Sequence, residues 1–407
     1  MTEGICIFED DGWRRLAPLT STRPVYDLRL GIGTLKEKIE TVLHGTPVAL
    51  HCRTELADSV EEDHPGTGVN ALAFDRCLFV NGRVIADESL GLLLEAEDDT
   101  VLRCNGEVVA ARVSGGTLEK ISRMLDGPLG DEAWEGLPAR EVDARLVRNP
   151  WDLITSNEGE IARDFDRLGL AGTLDAEIPA AVHVINPDAI CIAERCRLDP
   201  GVVLDAGGGP VVLGSGVRIG ANSVIRGPAV IGEGSLIQPL TVLQATTVGP
   251  ACKLGGEIRE SIIQGYSNKQ HSGFLGHAYL GEWVNLGADT TNSDLKNNYS
   301  SVRVHVDGKQ VDSKVLLVGC FIGDHTKSAI GSRFNTGSVF GVCCLLYAAG
   351  FVPKYVPSFT WLGHERPVKY SVGKAIDTAR TVMQRRGAEL TSAKEKVLRG
   401  IYEREHA

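Results

Sequence analysis

Along the middle of the chain the aliphatic positions recur at every sixth residue. Leu213, Ile219, Ile225, Ile231, Ile237 and Leu243 follow one another without interruption, and Gly214, Gly220 and Gly232 come directly after three of them. Upstream, Ile192, Leu198 and Leu204 keep the spacing; the phase then jumps by three at Ala206-Gly207-Gly208-Gly209, which predicts a loop extruded from a corner. Downstream, Leu280-Gly281 and Leu286-Gly287 resume the period, with weaker echoes at Ile322-Gly323 and Ile330-Gly331. A period of six is neither the 3.6 of an amphipathic helix nor the two of a half-buried strand. It fits a triangular coil in which each hexapeptide makes one flat face and one corner, and ~18 residues make a rung. The aliphatic side chain points into the coil and stacks on its equivalent one rung away. Glycine supplies the tight corner, where a Cβ or a negative φ is costly.

Residues 182–345 then form roughly nine rungs of a left-handed parallel β-helix. Residues 1–175 follow another pattern. Short apolar runs at Ile5–Phe8, Pro47–Leu50, Cys77–Val80, Val101–Arg103 and Val108–Val113 alternate with helical stretches such as Thr34–Val42. That alternation predicts a small α/β, Rossmann-like domain, closed by a helix around Asn149–Leu168. Residues 346–407 form a C-terminal arm and helices. The Pro/aromatic run Phe351–Trp361 reads as extended, Ile376, Ala379 and Met383 make a helical stripe, and Ser392 with Glu395 resembles a capping box for a short final helix. The fold class is thus α/β plus all-β.

Composition narrows the function classes. The net charge is −11, which argues against nucleic acid or an anionic membrane as partner, because both need a basic footprint. Ten cysteines include no CxxC pair, which predicts reduced, packed thiols and not a zinc site or disulfide scaffold. The start of the chain has no basic stretch followed by an apolar one, and no run of ~18 apolar residues occurs anywhere; a cytoplasmic protein is expected.

The period breaks between Gly255 and Gly276, and this is where side chains can be aimed at a ligand. The stretch holds Glu257, Arg259, Lys269 and His271, then His277, with Asn285 soon after. Transfer of an acyl group from a thioester to an amine needs a base that works near neutral pH, and histidine suits that task. It also needs a donor for the developing oxyanion, commonly a backbone N–H. Arg259 and Lys269 are cations suited to a sugar phosphate, the first by its fork and the second as a point charge. His325 is a rival base that Asp324 would orient, or a structural residue bonded to a neighbouring rung. His183 and His364 read as surface or packing residues.

Lys253–Arg259, Asn268-Lys269-Gln270-His271, Phe274-Leu275-Gly276 and Val284–Ala288 resemble the acetyltransferase half of the bifunctional N-acetylglucosamine-1-phosphate uridyltransferase family. Nearly the whole chain is similar to an alternative bacterial branch of that family, through Leu16–Pro24, Leu295–Tyr299, Gly323–Lys327, Phe334–Gly337 and Pro357–Trp361. The resemblance implies His271 as general base and Arg259 in place of a phosphate-binding lysine. It puts Phe274 where a tyrosine lines the sugar pocket, Asn285 on the sugar, Ala288 against coenzyme A, and Lys296 in place of a lysine reaching in from a neighbouring subunit. Thr241 stands where better-studied members carry a second phosphate-binding arginine.

Gly12–Thr20 is similar to the glycine-rich signature of sugar nucleotidyltransferases, where backbone N–H groups and an arginine hold nucleotide phosphates. Here the loop has one glycine before its arginine pair, Val25 falls on the family's lysine, and Arg83 falls on its Mg²⁺-binding aspartate. Arg15 and Arg23, with Arg29, are the candidate nucleotide-binding cations; Asp10, Asp11 and Asp27 are the candidate metal carboxylates. The expected reaction is acetyl transfer from acetyl-CoA to an amino-sugar 1-phosphate such as glucosamine-1-phosphate. It is coupled to uridylyl transfer from UTP with Mg²⁺, giving UDP-N-acetylglucosamine, in a homotrimer. Three other readings stay open. The N-terminal domain is inert, or the coil only oligomerises a nucleotidyltransferase, or the whole is a non-catalytic scaffold.

Overall fold

The computed structural model describes residues 2–88, 90, 99–363 and 366–406. The N-terminal sheet has seven strands in the order Gly68–Val69, Val48–His51, Glu3–Phe8, Arg76–Asn81, Glu107–Ser114, Thr100–Cys104, Ala139–Glu141. The strand Glu3–Phe8 runs parallel to both its neighbours, whereas Arg76–Asn81 and Glu107–Ser114 pair antiparallel. Alternation along the central strand feeds two cores. Ile5 and Ile7 pack with α1 (Leu35–Val42) and α2 (Ala57–Asp63), while Cys6 and Phe8 face Phe79 and Trp134. Thr34 caps α1 in a full capping box with Glu37. After α3 (Gly115–Ser122), α4 (Pro150–Arg167) starts on a second capping box, Asn149 with Asp152, and lays Ile161 and Phe165 against Cys191, Val212 and Val230 of the coil.

The coil stacks three parallel sheets of six, nine and five strands, the longest running from Ile190–Ile192 to Tyr355–Val356. Leu213 sits beside Ile231, Ile225 beside Leu243 and Ile237 beside Leu254, so the sixfold aliphatics form continuous inward columns. Glycine's role differs from the corner expected of it. The glycines that follow the aliphatics are at sites of close approach: a Cβ on Gly232 would lie 2.6 Å from the carbonyl carbon of Gly249 on the next rung. Many left-handed corners are instead held by other residues, among them Arg195, Leu240, Ala251, Tyr266, Trp283 and His325. Each costs about 1 kcal/mol that the stacked rungs must offset.

The ladder continues beyond residue 345. Tyr355–Val356 and Thr360–Leu362, inside the expected arm, pair in parallel with Ser338–Phe340 and Leu345–Leu346. Between two rungs the chain leaves the coil as a hairpin, Arg303–Val306 with Lys309–Asp312, whose Val304 and Val306 join Leu16, Leu19 and Val25 of the N-terminal domain in one core. The last segment also returns. In α5 (Val372–Gln384) and α6 (Ser392–His406), Ile376, Met383, Val397 and Leu398 pack with both Cys52 and Val60 of the first domain and Trp283 and Phe359 of the coil. The final helix spans 15 residues and is not short, and Thr391 accepts the capping N–H from Lys394.

Candidate active site

His271 lies in the turn between Asn268–Lys269 and Phe274–Gly276 and is exposed. Its imidazole makes no hydrogen bond within the described chain. On one flank, Phe274 stacks above Glu257 and Gly276 above Arg259; Arg259 projects outward and pairs with Glu257 at 2.7 Å. On the other flank, exposed Asn285 bridges Asn268 and Lys327 on adjacent rungs. Its Oδ1 accepts from Asn268 Nδ2 at 3.2 Å, and Asn268 in turn accepts from Arg386, just past α5. Ala288 is in the corresponding turn one rung on, whose Asp289 N–H donates to the Ser272 carbonyl at 3.1 Å. His271, Phe274, Asn285 and Ala288 therefore lie about one edge of the coil, with Arg259 further along the adjoining face beside Gly276.

One predicted contributor does not face that edge. Lys269 is beside Leu254 in an inward column and is 1% exposed, so it does not meet a sugar phosphate. Its ammonium donates to the carbonyls of Gly255 and His271, both at 2.8 Å, and Ser272 at 3.3 Å. Burial pulls its pKa down to about 8, opposed weakly by Asp289. Lys269 is a peg beneath the turn that carries His271. Lys296 donates to the Ser301 carbonyl at 2.6 Å and Ser300 Oγ at 3.2 Å, within its own loop.

The other histidines differ from His271 in environment. His277 donates from Nδ1 to Asp294 at 2.8 Å and from Nε2 to Glu260 at 2.7 Å. Burial opposes its charge, but the two carboxylates dominate and bring its pKa to about 9. A group already protonated near neutral pH cannot serve as the base. Its folded-state pKa is raised from 6.5, so the stabilisation is complete below about 6.5 and is lost as pH rises through about 9. Urea unfolding across that window should show His277→Gln losing on the order of 2 kcal/mol less stability than the wild type as pH rises. His325 is buried with neither ring nitrogen bonded, and burial pushes its pKa down to about 3. Asp324 does not orient it, because that carboxylate binds Arg23. His183 is exposed on the first rung, and His364 lies outside the described residues.

The N-terminal loop is filled by its own side chains. Glu9 is fully buried; its carboxylate accepts from Arg53 Nη1 at 2.8 Å and from the backbone N–H groups of Val25 and Arg53, both at 3.3 Å. Asp10 accepts from the Gly12 N–H at 3.0 Å, from Arg83 Nε at 2.8 Å and from Asn81 Nδ2 at 2.8 Å. Gly12 packs on the Arg83 guanidinium, where a Cβ would come within 2.4 Å of Nε. The predicted nucleotide cations also turn elsewhere. Arg15 donates to the Arg148 carbonyl at 3.1 Å and to Asn149 Oδ1 at 2.6 Å. Arg23 is buried with its fork on Asp324, at 3.0 and 2.6 Å, and Arg29 Nε donates to the Gln264 carbonyl at 2.9 Å, so both dock the domain on the coil. Of the candidate metal carboxylates, Asp10 binds Arg83, Asp11 pairs with Arg14 at 3.3 Å, and Asp27 accepts from His64 at 3.1 Å. Each of these carboxylates already has an arginine or histidine partner, and among the described residues no group of three or more His, Cys, Asp or Glu is placed to hold a metal ion.

Residues 5–171 match the sugar nucleotidyl transferase family model, and residues 210–245 match the bacterial transferase hexapeptide model, six repeats long. The fold and these matches give a nucleotidyltransferase-type domain followed by a left-handed hexapeptide coil. The "Bifunctional protein GlmU" of Azoarcus sp. is 32% identical over 153 residues, 33% of this chain and 31% of that protein. The protein of the same name from Methylococcus capsulatus is 31% identical over 180 residues, 44% of this chain and 36% of that one. The chain thus spans about a third of the length of these relatives. Both parts of the chain are therefore similar to GlmU-like proteins, which supports the resemblance drawn from its motifs. Among solved structures, the UDP-N-acetylglucosamine acyltransferase of Francisella novicida aligns over 51% of this chain and 74% of that one, at 12% identity and a TM-score of 0.23. So slight a likeness carries no argument. Among the described residues no helix is long and apolar enough to cross a membrane.

Proposed function

We propose that the coil transfers an acetyl group from acetyl-CoA to the amine of an amino-sugar 1-phosphate, with glucosamine-1-phosphate as the acceptor. What supports this reading is that His271, Phe274, Asn285 and Ala288 lie about one edge of the coil, with Arg259 on the adjoining face. His271, exposed and without an internal partner, takes the amine proton as the nitrogen attacks the thioester carbonyl. The C–N bond forms, the C–S bond breaks, and the thiol leaves. Arg259 holds the sugar phosphate, Phe274 and Asn285 border the sugar, and coenzyme A runs past Ala288. Leu240 and Ile330, 73% and 80% exposed, occupy the same edge. Two further copies of the coil, associated as a homotrimer, would cover them and complete the groove. The test is thiol release with glucosamine-1-phosphate against unphosphorylated glucosamine. The phosphorylated acceptor should be strongly preferred, with that preference lost in Arg259→Ala; no acceptor-dependent release would overturn the proposal.

A second reading concerns the N-terminal domain. The family resemblance brings uridylyl transfer from UTP and the product UDP-N-acetylglucosamine. Glu9 and Asp10 favour an inert domain, because their carboxylates already take the N–H and guanidinium donors that nucleotide phosphates need. UTP with Mg²⁺ should therefore give no saturable heat in calorimetry. Saturable binding with uridylyl turnover would establish the coupled reaction instead.

A further inference from the structure

Tyr266, Trp283 and His325 occupy one left-handed corner of the coil on successive rungs. Tyr266 stacks on Trp283 at 4.6 Å and 13°, and Trp283 lies parallel to His325 at 6.3 Å and 6°. Rings stacked along the coil axis turn their edges outward. Beyond these edges is a cavity of about 330 Å³ where the N-terminal domain, the coil and the C-terminal helices meet. That is the scale of a small-ligand pocket, at the domain junction where such pockets are common.

The ring edges carry polar atoms without partners. Among the described residues, the Tyr266 hydroxyl, the Trp283 indole N–H and both nitrogens of His325 form no hydrogen bond. His325 is 7% exposed, and its Nδ1 is sealed from solvent, so Nε2 is the nitrogen left to meet the cavity. Of these atoms only His325 Nδ1 is sealed from solvent; the others open on the cavity, where the hydroxyl or ammonium groups of a ligand can pair them.

The charge of the lining selects the ligand class. Four carboxylates, Asp27, Asp63, Glu282 and Asp324, face two permanent cations, Arg23 and Lys394. Asp324 has the Arg23 fork, Asp63 has Lys394 at 2.7 Å, and Asp27 has His64 at 3.1 Å. Glu282 meets Arg23 through a single contact at 3.3 Å, which leaves a carboxylate oxygen open. A phosphate would add negative charge to a site already short of cations, whereas an ammonium would pair with Glu282. Met383, Leu390 and Val397 form an apolar wall opposite, suited to the C–H face of a sugar ring.

We propose that this cavity binds a small hydroxyl-rich amine without a phosphate, the chemistry of a free hexosamine. The hexosamine probe rests on the proposed acceptor class; the amine and hydroxyl preference rests on the cavity alone. The ligand joins three parts of the chain that share one core, and so stabilises their junction by mass action.

The experiment is calorimetry with glucosamine on the full chain carrying Arg259→Ala and His271→Ala, without acetyl-CoA, so that neither the candidate catalytic edge nor turnover contributes. One saturable glucosamine per chain is expected, with glucose binding tenfold or more weaker for want of the charge-assisted bond. Adding Glu282→Gln should weaken glucosamine tenfold or more, and Tyr266→Phe should weaken it less. Tyr266→Phe should melt with the parent when unliganded, Glu282→Gln should melt cooperatively but lower for loss of its contact with Arg23, and acetyl transfer in an otherwise wild-type chain should be unchanged by either. No saturable binding, equal binding of glucose, or binding indifferent to both variants would overturn the proposal. Failure of the acetyl-transfer reading leaves each of these outcomes readable.

Discussion

Arg23→Ala is expected to lower stability by about 3–5 kcal/mol, the scale of a buried ion pair broken on one side. Arg23 is in the first domain, yet its fork is on Asp324, 301 residues further along in the coil, with Glu282 also within 3.3 Å. Burial works against both charges. Asp324 outweighs it for the guanidinium, whose pKa is held above its ordinary value, and Arg23 outweighs it for the carboxylate, which is held below. Alanine leaves Asp324 buried with the Thr22 hydroxyl and the Glu282 N–H but without its guanidinium. Urea unfolding of Arg23→Ala, Asp324→Asn and the double variant gives the coupling between them. The double variant should be less destabilised than the two single losses summed. Additive losses would mean that the pair does not hold the domain to the coil. Arg23→Lys should rescue little, since one ammonium cannot replace a bidentate fork.

His271→Ala is expected to cut acetyl-transfer turnover by ~10² or more with little change in acceptor KM, as loss of a general base acts mainly on the chemical step. His277 cannot substitute, since Asp294 and Glu260 keep it protonated. Nor can His325, which is buried at another corner with its pKa lowered to about 3. A variant within a few-fold of wild-type turnover would remove His271 from the role.

The coil was legible because its signal is local and repeated. One aliphatic column predicts the next, and the register observed at Leu213, Ile231 and Leu243 follows the count. That count does not reach Lys269, because the rungs leading to it are irregular; only the ladder puts it in the inward column shared by Ile237 and Leu254. Residue type suggested a phosphate ligand there; rung phase makes it an internal support. The corners were less legible. Stacked neighbours hold Leu240, Ala251 and Trp283 at positive φ, so glycine does not mark every turn. The filled N-terminal loop was half visible. Arg83 in place of an aspartate was readable, but that it would bind Asp10 depends on two strands meeting. The junction of three parts was invisible, because Arg23 with Asp324 and Leu398 with Trp283 are distant pairs that no local pattern encodes.

The most direct measurement follows labelled acetyl from acetyl-CoA by mass spectrometry in the presence of glucosamine-1-phosphate. Transfer at the His271 edge predicts one labelled acetyl on the sugar nitrogen for each thiol released, and neither in His271→Ala. Thiol release without an acetylated sugar, or the same product from the variant, would contradict it.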